Sequence, residues 1–406
     1  MAYPRWLPVL LGVLSAVGPV STDMYLPAFP ALEAALGGGV VGSAQLTLAT
    51  WFVGLAVGQI TQGSLSDRFG RRGPLIVGTA IYTVASVGCA LSPDLITLSA
   101  FRFLAAFGGS AAMVIPRAIV RDISEGTAAA RLMSQLILVL GAAPILAPTL
   151  GGLVLGFASW HAIFWIATLY GFICCVLVWW KLPDTLPLQG RIELRPFRIA
   201  TRMGRIMTER GFITHALLGG LCMCATFAYL GGAPDVFEGR FHLSPVLFGA
   251  MFGVCACGYI GSAQISPMLL GRVGPSRMMR YAVRVMVCTT GTMLLVAMTL
   301  DGPWWLLAAC ILATFCCMGF ITPNATVGAL TRHAGHAGSA SALLGMLQFL
   351  LGAVSGMAVG LLADGTARPM AALMFTGAVA AAIADAARPP HSSKPLHTGI
   401  EEIMHA

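Results

Sequence analysis

Long apolar runs alternate with short polar breaks along almost the whole chain. Each run is about as long as the ~20 residues that an α-helix needs to cross a bilayer, so each one predicts a transmembrane helix. The pattern therefore predicts an all-α integral membrane protein with twelve spans, near 6–27, 43–66, 74–92, 95–118, 132–157, 161–181, 211–234, 244–270, 279–299, 303–327, 338–362 and 368–386.

A longer polar stretch divides the twelve predicted spans into two sets of six. The division predicts an N-terminal six-helix bundle (1–181), a central loop (182–210), a C-terminal six-helix bundle (211–387) and a tail (388–406). A short repeat supports internal duplication: Asp-Arg-Phe-Gly follows the second span at 67–70, and Gly-Arg-Val-Gly follows the eighth at 271–274, 204 residues further on. We therefore expect two pseudo-symmetric bundles.

Composition and charge agree with this pattern. Hydrophobic residues make up 57% of the chain and charged residues only 10%, against about 25% charged in a typical soluble protein. A formal net charge of +8 is compatible with nucleic-acid binding, but here the arginines flank the apolar runs. All of the 24 lysines and arginines fall on one side of the predicted membrane except Arg102, Arg240 and Arg368. The positive-inside rule then places both termini in the cytoplasm.

The strongest local motif, GSLSDRFGRRGPLI at 63–76, joins the second and third spans. It resembles the signature loop of the major facilitator superfamily. Glycines suit close helix contact and tight turns, and we expect Asp67 to meet the start of the eleventh helix near Gly338 and Ser339. A basic loop that serves only to set topology is the alternative. The predicted conformational latch comprises Gly63, Asp67, Arg68, Gly70, Arg71 and Arg72.

Further segments resemble one branch of that superfamily, the Bcr/CflA multidrug (bicyclomycin/chloramphenicol-type) resistance efflux transporters. They are STDMYLPAFP at 21–30, RAIVRD at 117–122 and SWHAIFWI at 159–166. In addition, GAAPILAPTLGG at 141–152 resembles the antiporter motif of exporters, although Ala147 replaces its usual glycine. The residues that match it are Gly141, Pro144, Pro148, Gly151 and Gly152. We expect a bent helix at the contact between the halves, or else an ordinary kinked packing helix.

Two charged residues lie inside predicted spans at similar depth, Asp23 in the first and Arg102 in the fourth. Charges in hydrocarbon are costly and usually functional. The family resemblance implies that this pair couples transport to protons. Ala105 departs from the family pattern, which has a polar residue three positions after the arginine. A purely structural ion pair, or an Asp23 exposed just above the membrane, are the alternatives.

Other polar and apolar residues of the spans are candidates for the wall of a substrate cavity. Each has the alternative role of holding helices together. These candidates are Tyr25, Met113, Gln135, Tyr229, Asn324 and Gln348.

The resemblance implies a monomeric multi-pass transporter of the bacterial inner membrane that exports small drug-like or amphipathic compounds by proton antiport with alternating access. Its partners would be a small-molecule substrate, protons and the lipid bilayer, without nucleic acid. The absence of a GxxxxGK[ST] loop argues against an ATP-driven pump. We expect no enzyme activity, catalytic residue, metal or cofactor, because no neighbouring carboxylate or cysteine completes a site with His333 and His336. A facilitator-type transporter of an endogenous metabolite, in either direction, and a non-transporting membrane protein are the alternatives.

Overall fold

The computed structural model describes residues 6–38, 43–123, 146–186, 196–299, 303–331 and 337–389, and these are almost entirely helical. A 3-10 turn (Leu26–Ala28) joins α2 to α3, and a π-helical turn (Pro234–Arg240) extends α10. The helices are α1 (Leu7–Ser15), α2 (Val17–Thr22), α3 (Phe29–Leu36), α4 (Gln45–Phe69), α5 (Arg72–Ala90), α6 (Leu95–Ile123), α7 (Leu146–Leu155), α8 (His161–Lys181), α9 (Pro196–Thr208), α10 (Arg210–Ala233), α11 (Pro245–Val273), α12 (Pro275–Thr299), α13 (Trp304–Leu330), α14 (Ala337–Leu361) and α15 (Arg368–Ala386).

Within the described ranges, ten helical segments are long and apolar enough to cross a membrane. Two more correspond to the remaining predicted spans. One is α4, whose 25 residues include several buried glutamines. The other is α7, the described part of the fifth predicted span. Except in the first and fifth predicted spans, the helix bounds lie within about five residues of the predicted ones, because uninterrupted apolar runs mark spans clearly.

The first span departs from its predicted bounds. The sequence predicts a helix ending near residue 27, whereas helical structure continues to Leu36 in three pieces, α1 to α3. Proline lacks a backbone N–H and interrupts a helix interior, but it fits the first turn of the next helical piece. Pro27 and Pro30 occupy such first-turn positions. The prolines therefore break the span around Asp23 to Tyr25 without ending it.

The central stretch is also more ordered than predicted. The predicted loop at 182–210 contains the amphipathic helix α9, which begins at Pro196. Its Ile206 is buried against Phe212 of α10 and Ala329 of α13. The many arginines obscure the apolar stripe of this helix in the sequence.

Close helix packing organises both halves. Helix α6 packs between α4 and α5 in the first half, and α13 packs on α11 and α12 in the second. A side chain at Gly54 or Gly58 of α4 would overlap α6, so these glycines set the helix separation there. The halves meet where α4 packs along α14, and where Gly249 of α11 approaches the backbone of α7.

The short repeat has a matching backbone conformation. Gly70 ends α4 at φ 87° and ψ 172°, and Gly274 ends α11 at φ 76° and ψ 151°. These angles lie in a region that is essentially restricted to glycine. The two sequence echoes are thus structural equivalents, in agreement with duplicated halves.

Candidate functional site

Asp23 lies at the break in the first span and is 7% exposed. The Thr22 hydroxyl donates a hydrogen bond to its carboxylate over 2.9 Å. Asp23 is also close enough to Tyr229 of α10 for an electrostatic interaction. The structure therefore buries this carboxylate within the protein, within electrostatic reach of a helix of the other half.

Arg102 of α6 is 2% exposed and packs against two aromatic rings. Its guanidinium carbon lies 4.5 Å from the ring centroids of both Tyr25 and Trp51. Its Nη1 donates to the carbonyl oxygen of Ser21 over 2.7 Å. Among the described residues no carboxylate lies within ion-pair distance of Arg102, so the structural Asp23–Arg102 ion pair is not formed in this conformation.

The predicted cavity residues differ in their surroundings. Tyr25 is fully buried and its hydroxyl is 2.5 Å from that of Thr47, while Tyr229 is fully buried with no hydrogen-bond partner for its hydroxyl in the described part of the chain. Asn324 instead joins helices, because it donates to Ser266 of α11 over 2.9 Å. Met113 and Gln348 are half-buried, beside Gly18 and Gly219 respectively. Gln135 lies outside the described residues.

Aromatic rings from three helices meet between the halves, a cluster that the sequence did not identify. The ring centroid of Phe52 (α4) is 3.8 Å from that of Phe227 (α10) and 6.2 Å from that of Phe349 (α14). Close by, Tyr229 packs on Phe252 and Phe315. Aromatic residues are common in apolar helices, so only the packing distinguishes these from lipid-facing ones.

The halves are also joined by hydrogen bonds at the end of α4 opposite the arginine-rich loop. The Gln45 side-chain amide donates to the carbonyl oxygen of Gly231 over 2.6 Å and to Asp235 over 2.9 Å. Gln45 is fully buried. These bonds close the contact between α4 and the end of α10, and neither partner was predicted as a site residue.

The predicted latch is organised around Arg71, whose side chain is 3% exposed. Its guanidinium donates to Asp67 over 2.6 Å and to Asp122, at the end of α6, over 2.7 Å. Its backbone N–H donates to Asp184 over 2.8 Å. Burial acts to lower the pKa of Arg71, but the hydrogen bonds to Asp122 and Asp67 outweigh it and the pKa is raised. Asp122 and Asp184 were not predicted, although both follow spans at the arginine-rich side.

The other latch residues have separate roles. Arg72 donates to the carbonyl oxygen of Trp179 over 2.5 Å, and Arg68 lies over the Phe69 ring. Gly63 has room for a side chain, whose first carbon would be 3.7 Å from Val114, so close approach does not require glycine there in this conformation. The side chains at the start of α14 lie outside the described set, which leaves the expected contact of Asp67 a prediction.

The described part of the antiporter-like segment lies between helices of both halves. Pro148, Gly151 and Gly152 are buried in α7. A side chain at Gly151 would overlap the backbone of Met24, and Gly249 of α11 approaches Pro148 and Thr149. Gly141 and Pro144 fall outside the described residues.

Comparisons with known proteins agree with this architecture. The profile of the Major Facilitator Superfamily matches residues 11–357. A crystal structure of a D-xylose-proton symporter superimposes with a TM-score of 0.76, covering 97% of this chain and 100% of the symporter at 14% identity. Identity this low shows a common fold and nothing about substrate.

Three curated relatives match over most of their length. The uncharacterized MFS-type transporter YdgK of Bacillus subtilis is 37% identical over 93% of this chain and 94% of its own. A bicyclomycin resistance protein homolog of Haemophilus influenzae is 29% identical over 89% of this chain and 90% of its own. A chloramphenicol resistance protein of Pseudomonas aeruginosa is 28% identical over 91% of this chain and 87% of its own.

Proposed function

This chain belongs to the major facilitator superfamily of membrane transporters, and from that premise we propose that it exports small drug-like or amphipathic compounds by proton antiport. The observation that carries the proposal is the position of Asp23. This carboxylate is buried at a helix break and lies within electrostatic reach of Tyr229, which belongs to the other half. A membrane-buried acid at such an interface is suited to bind a proton and to respond to the relative position of the halves.

The relatives support the substrate class and the direction of transport. Two of them are named for resistance to bicyclomycin and chloramphenicol, and each matches at least 89% of this chain. Resistance by a membrane transporter is most simply explained by export. The aromatic rings of Phe52, Phe227 and Phe349 offer apolar faces at the junction of the halves, which suits amphipathic cargo.

We further propose twelve spans in two bundles, with the domain bounds given above and both termini in the cytoplasm. The ends of α4, α6 and α8 support a common side, because Arg71 joins residues next to all three. Basic residues concentrate there, which favours the cytoplasmic face of a bacterial inner membrane. A monomer suffices, since both halves of the transport path lie in one chain.

Alternating access would then require two sets of contacts to open in turn. The Gln45 bonds to Gly231 and Asp235 hold the halves together at the outer end. The arginine-rich loop is the proposed latch at the inner end. Asp23 and Arg102, at the depth between them, are the proposed coupling residues.

The test is Asp23→Asn, which keeps the size and hydrogen bonding of the side chain but cannot release a proton. In inside-out vesicles with an imposed proton gradient, wild-type protein is expected to concentrate chloramphenicol or bicyclomycin. The variant is expected to lose gradient-driven transport while keeping normal membrane levels and gradient-independent exchange.

Asp94→Asn is the matched control, because Asp94 is an exposed acid that caps α6 through the N–H groups of Ile96 and Thr97. It should transport as the wild type does. Gradient-driven transport by Asp23→Asn at the wild-type rate would remove Asp23 from the coupling mechanism. Uptake in place of export would favour a facilitator-type importer.

A further inference from the structure

Arg102 is a buried cation with unused hydrogen-bond donors. Its Nη1 is bonded to Ser21, but Nε and Nη2 have no hydrogen-bond partner among the residues that the structure describes. Nε and Nη2 lie on the same edge of a guanidinium, the edge that grips an anion with two N–H groups. The rings of Tyr25 and Trp51 both lie against the guanidinium, so the edge with free N–H groups is the place where an anion can be bound directly.

A small cavity adjoins this side chain. Its volume is about 10 Å³, and its lining includes Ser86, Cys89 and Ala105 together with Arg102 and Trp51. That volume holds one small sphere, and a drug-sized molecule does not fit. Ala105 contributes only a methyl group to the wall of this cavity.

We propose that this cavity binds a small monovalent anion of the chloride class, held by the Nε and Nη2 donors of Arg102. A guanidinium stays charged at any physiological pH, and a buried charge requires a counter-charge or dense hydrogen bonding. Asp23 does not supply the counter-charge in this conformation. The anion site goes beyond the proposed export activity, and it does not depend on the direction of transport or on the cargo.

The first measurement is the melting temperature of the purified protein while sodium chloride replaces sodium gluconate at constant ionic strength. A ligand that binds only the folded state raises the melting temperature. We expect a saturable rise of about 2–4 °C in the wild type. Ala105→Val, which fills the cavity without touching the charge, should abolish the rise.

The chain offers a matched control for that variant. Ala112 lies two turns further along the same helix, is equally buried, and lines a second cavity of about 10 Å³ that has no charged residue in its wall. Ala112→Val carries a similar overpacking penalty. It should keep the full response to chloride, so loss of the response in both variants would contradict a site at Arg102.

A second measurement detects the anion itself. Trp51 lies against Arg102, so bromide bound at this site should quench its fluorescence with a saturable dependence on bromide concentration. Trp51→Phe should remove the saturable part and leave only collisional quenching of other tryptophans. Arg102→Gln should remove it as well; if that variant does not fold, the Ala105 and Ala112 pair decides. Equal melting temperatures in chloride and gluconate, with no saturable quenching, would show that the cavity holds water only.

Discussion

The arginine-rich ends of the two halves are built around opposite charges. In the N-terminal half a buried cation, Arg71, lies between the acids Asp67 and Asp122. In the C-terminal half a buried acid, Asp385, lies between two cations, Arg388 and Arg280. The first network joins the loop after α4 to the ends of α6 and α8. Among the described residues, the second network joins α12 to α15 and the residues after it, where Arg388 also donates to the carbonyl oxygen of Ser276 over 3.2 Å.

The short repeat shows where the two halves differ. Gly70 and Gly274 are equivalent in position and backbone conformation, so the turn is common to both halves. At the offset of 204 residues, however, Asp67 corresponds to Gly271 and Arg71 to Pro275. The C-terminal half therefore keeps the turn and lacks the charged side chains that tie it to neighbouring helices. The comparison indicates that both halves contain the turn, whereas a charge network centred on the residue after this glycine is found in the N-terminal half.

The largest expected effect is that of Arg71→Ala. Removing the cation leaves Asp122 partly buried without its partner, so the free energy of unfolding should fall by about 3 kcal/mol. Denaturant titration in detergent measures this change. Arg68→Ala is the control, because Arg68 is exposed and lies over the Phe69 ring, and it should change stability by less than about 0.5 kcal/mol.

Asp385→Asn tests the same contrast from the C-terminal half. It removes the negative charge of Asp385 from that network. Arg388 can still donate to the carbonyl oxygen of Ser276 and to the side-chain oxygen that asparagine retains. A loss smaller than that of Arg71→Ala is expected. An equal or larger loss would mean that the C-terminal network stabilises the fold at least as much as the N-terminal one. The two networks would then differ only in the sign of their central charge.

The next largest effect is expected for two matched substitutions, Gly70→Ala and Gly274→Ala. Both glycines have backbone angles that a residue with a Cβ adopts only under strain, so each variant should lose about 1–3 kcal/mol of unfolding free energy. Thermal melts of the two variants give the comparison. Similar losses are expected if the turn serves both halves equally, whereas a loss at Gly70 alone would show that only the turn beside the charge network bears strain.

The smallest effect on stability is expected for Asp67→Asn. The Asp67 side chain is 43% exposed, and an ion pair this exposed contributes at most about 1 kcal/mol. Asp67 is more exposed than Asp122, the other acid bound to the Arg71 side chain, so it can change partners more easily as the halves move. We therefore expect a several-fold lower maximal transport rate with little change in apparent substrate affinity. A large affinity loss at an unchanged maximal rate would count against a latch.

The sequence predicted the positions of most helical spans and of the signature-like loop, because these depend on local properties; its division into two six-helix bundles stays a prediction. A run of about twenty apolar residues specifies a span wherever it occurs, and a glycine between charged residues specifies a turn. Prediction from local pattern was wrong at the end of the first span, because Pro27 and Pro30 fit the first turns of new helical pieces. It also missed α9, because the arginines of this helix make its apolar face hard to recognise in the sequence.

The tertiary structure alone decided which residues contact each other. Arg71 was recognisable in the motif, but its partners Asp122 and Asp184 lie 51 and 113 residues away along the chain. Likewise, Asp23 and Arg102 have similar depths in the sequence pattern, yet helix packing brings Asp23 within electrostatic reach of Tyr229 and places Arg102 against Tyr25 and Trp51. Depth follows from counting residues along a helix, whereas the facing partner depends on helix rotation and packing, which the apolar pattern of a membrane protein leaves open because lipid and protein interior are both apolar.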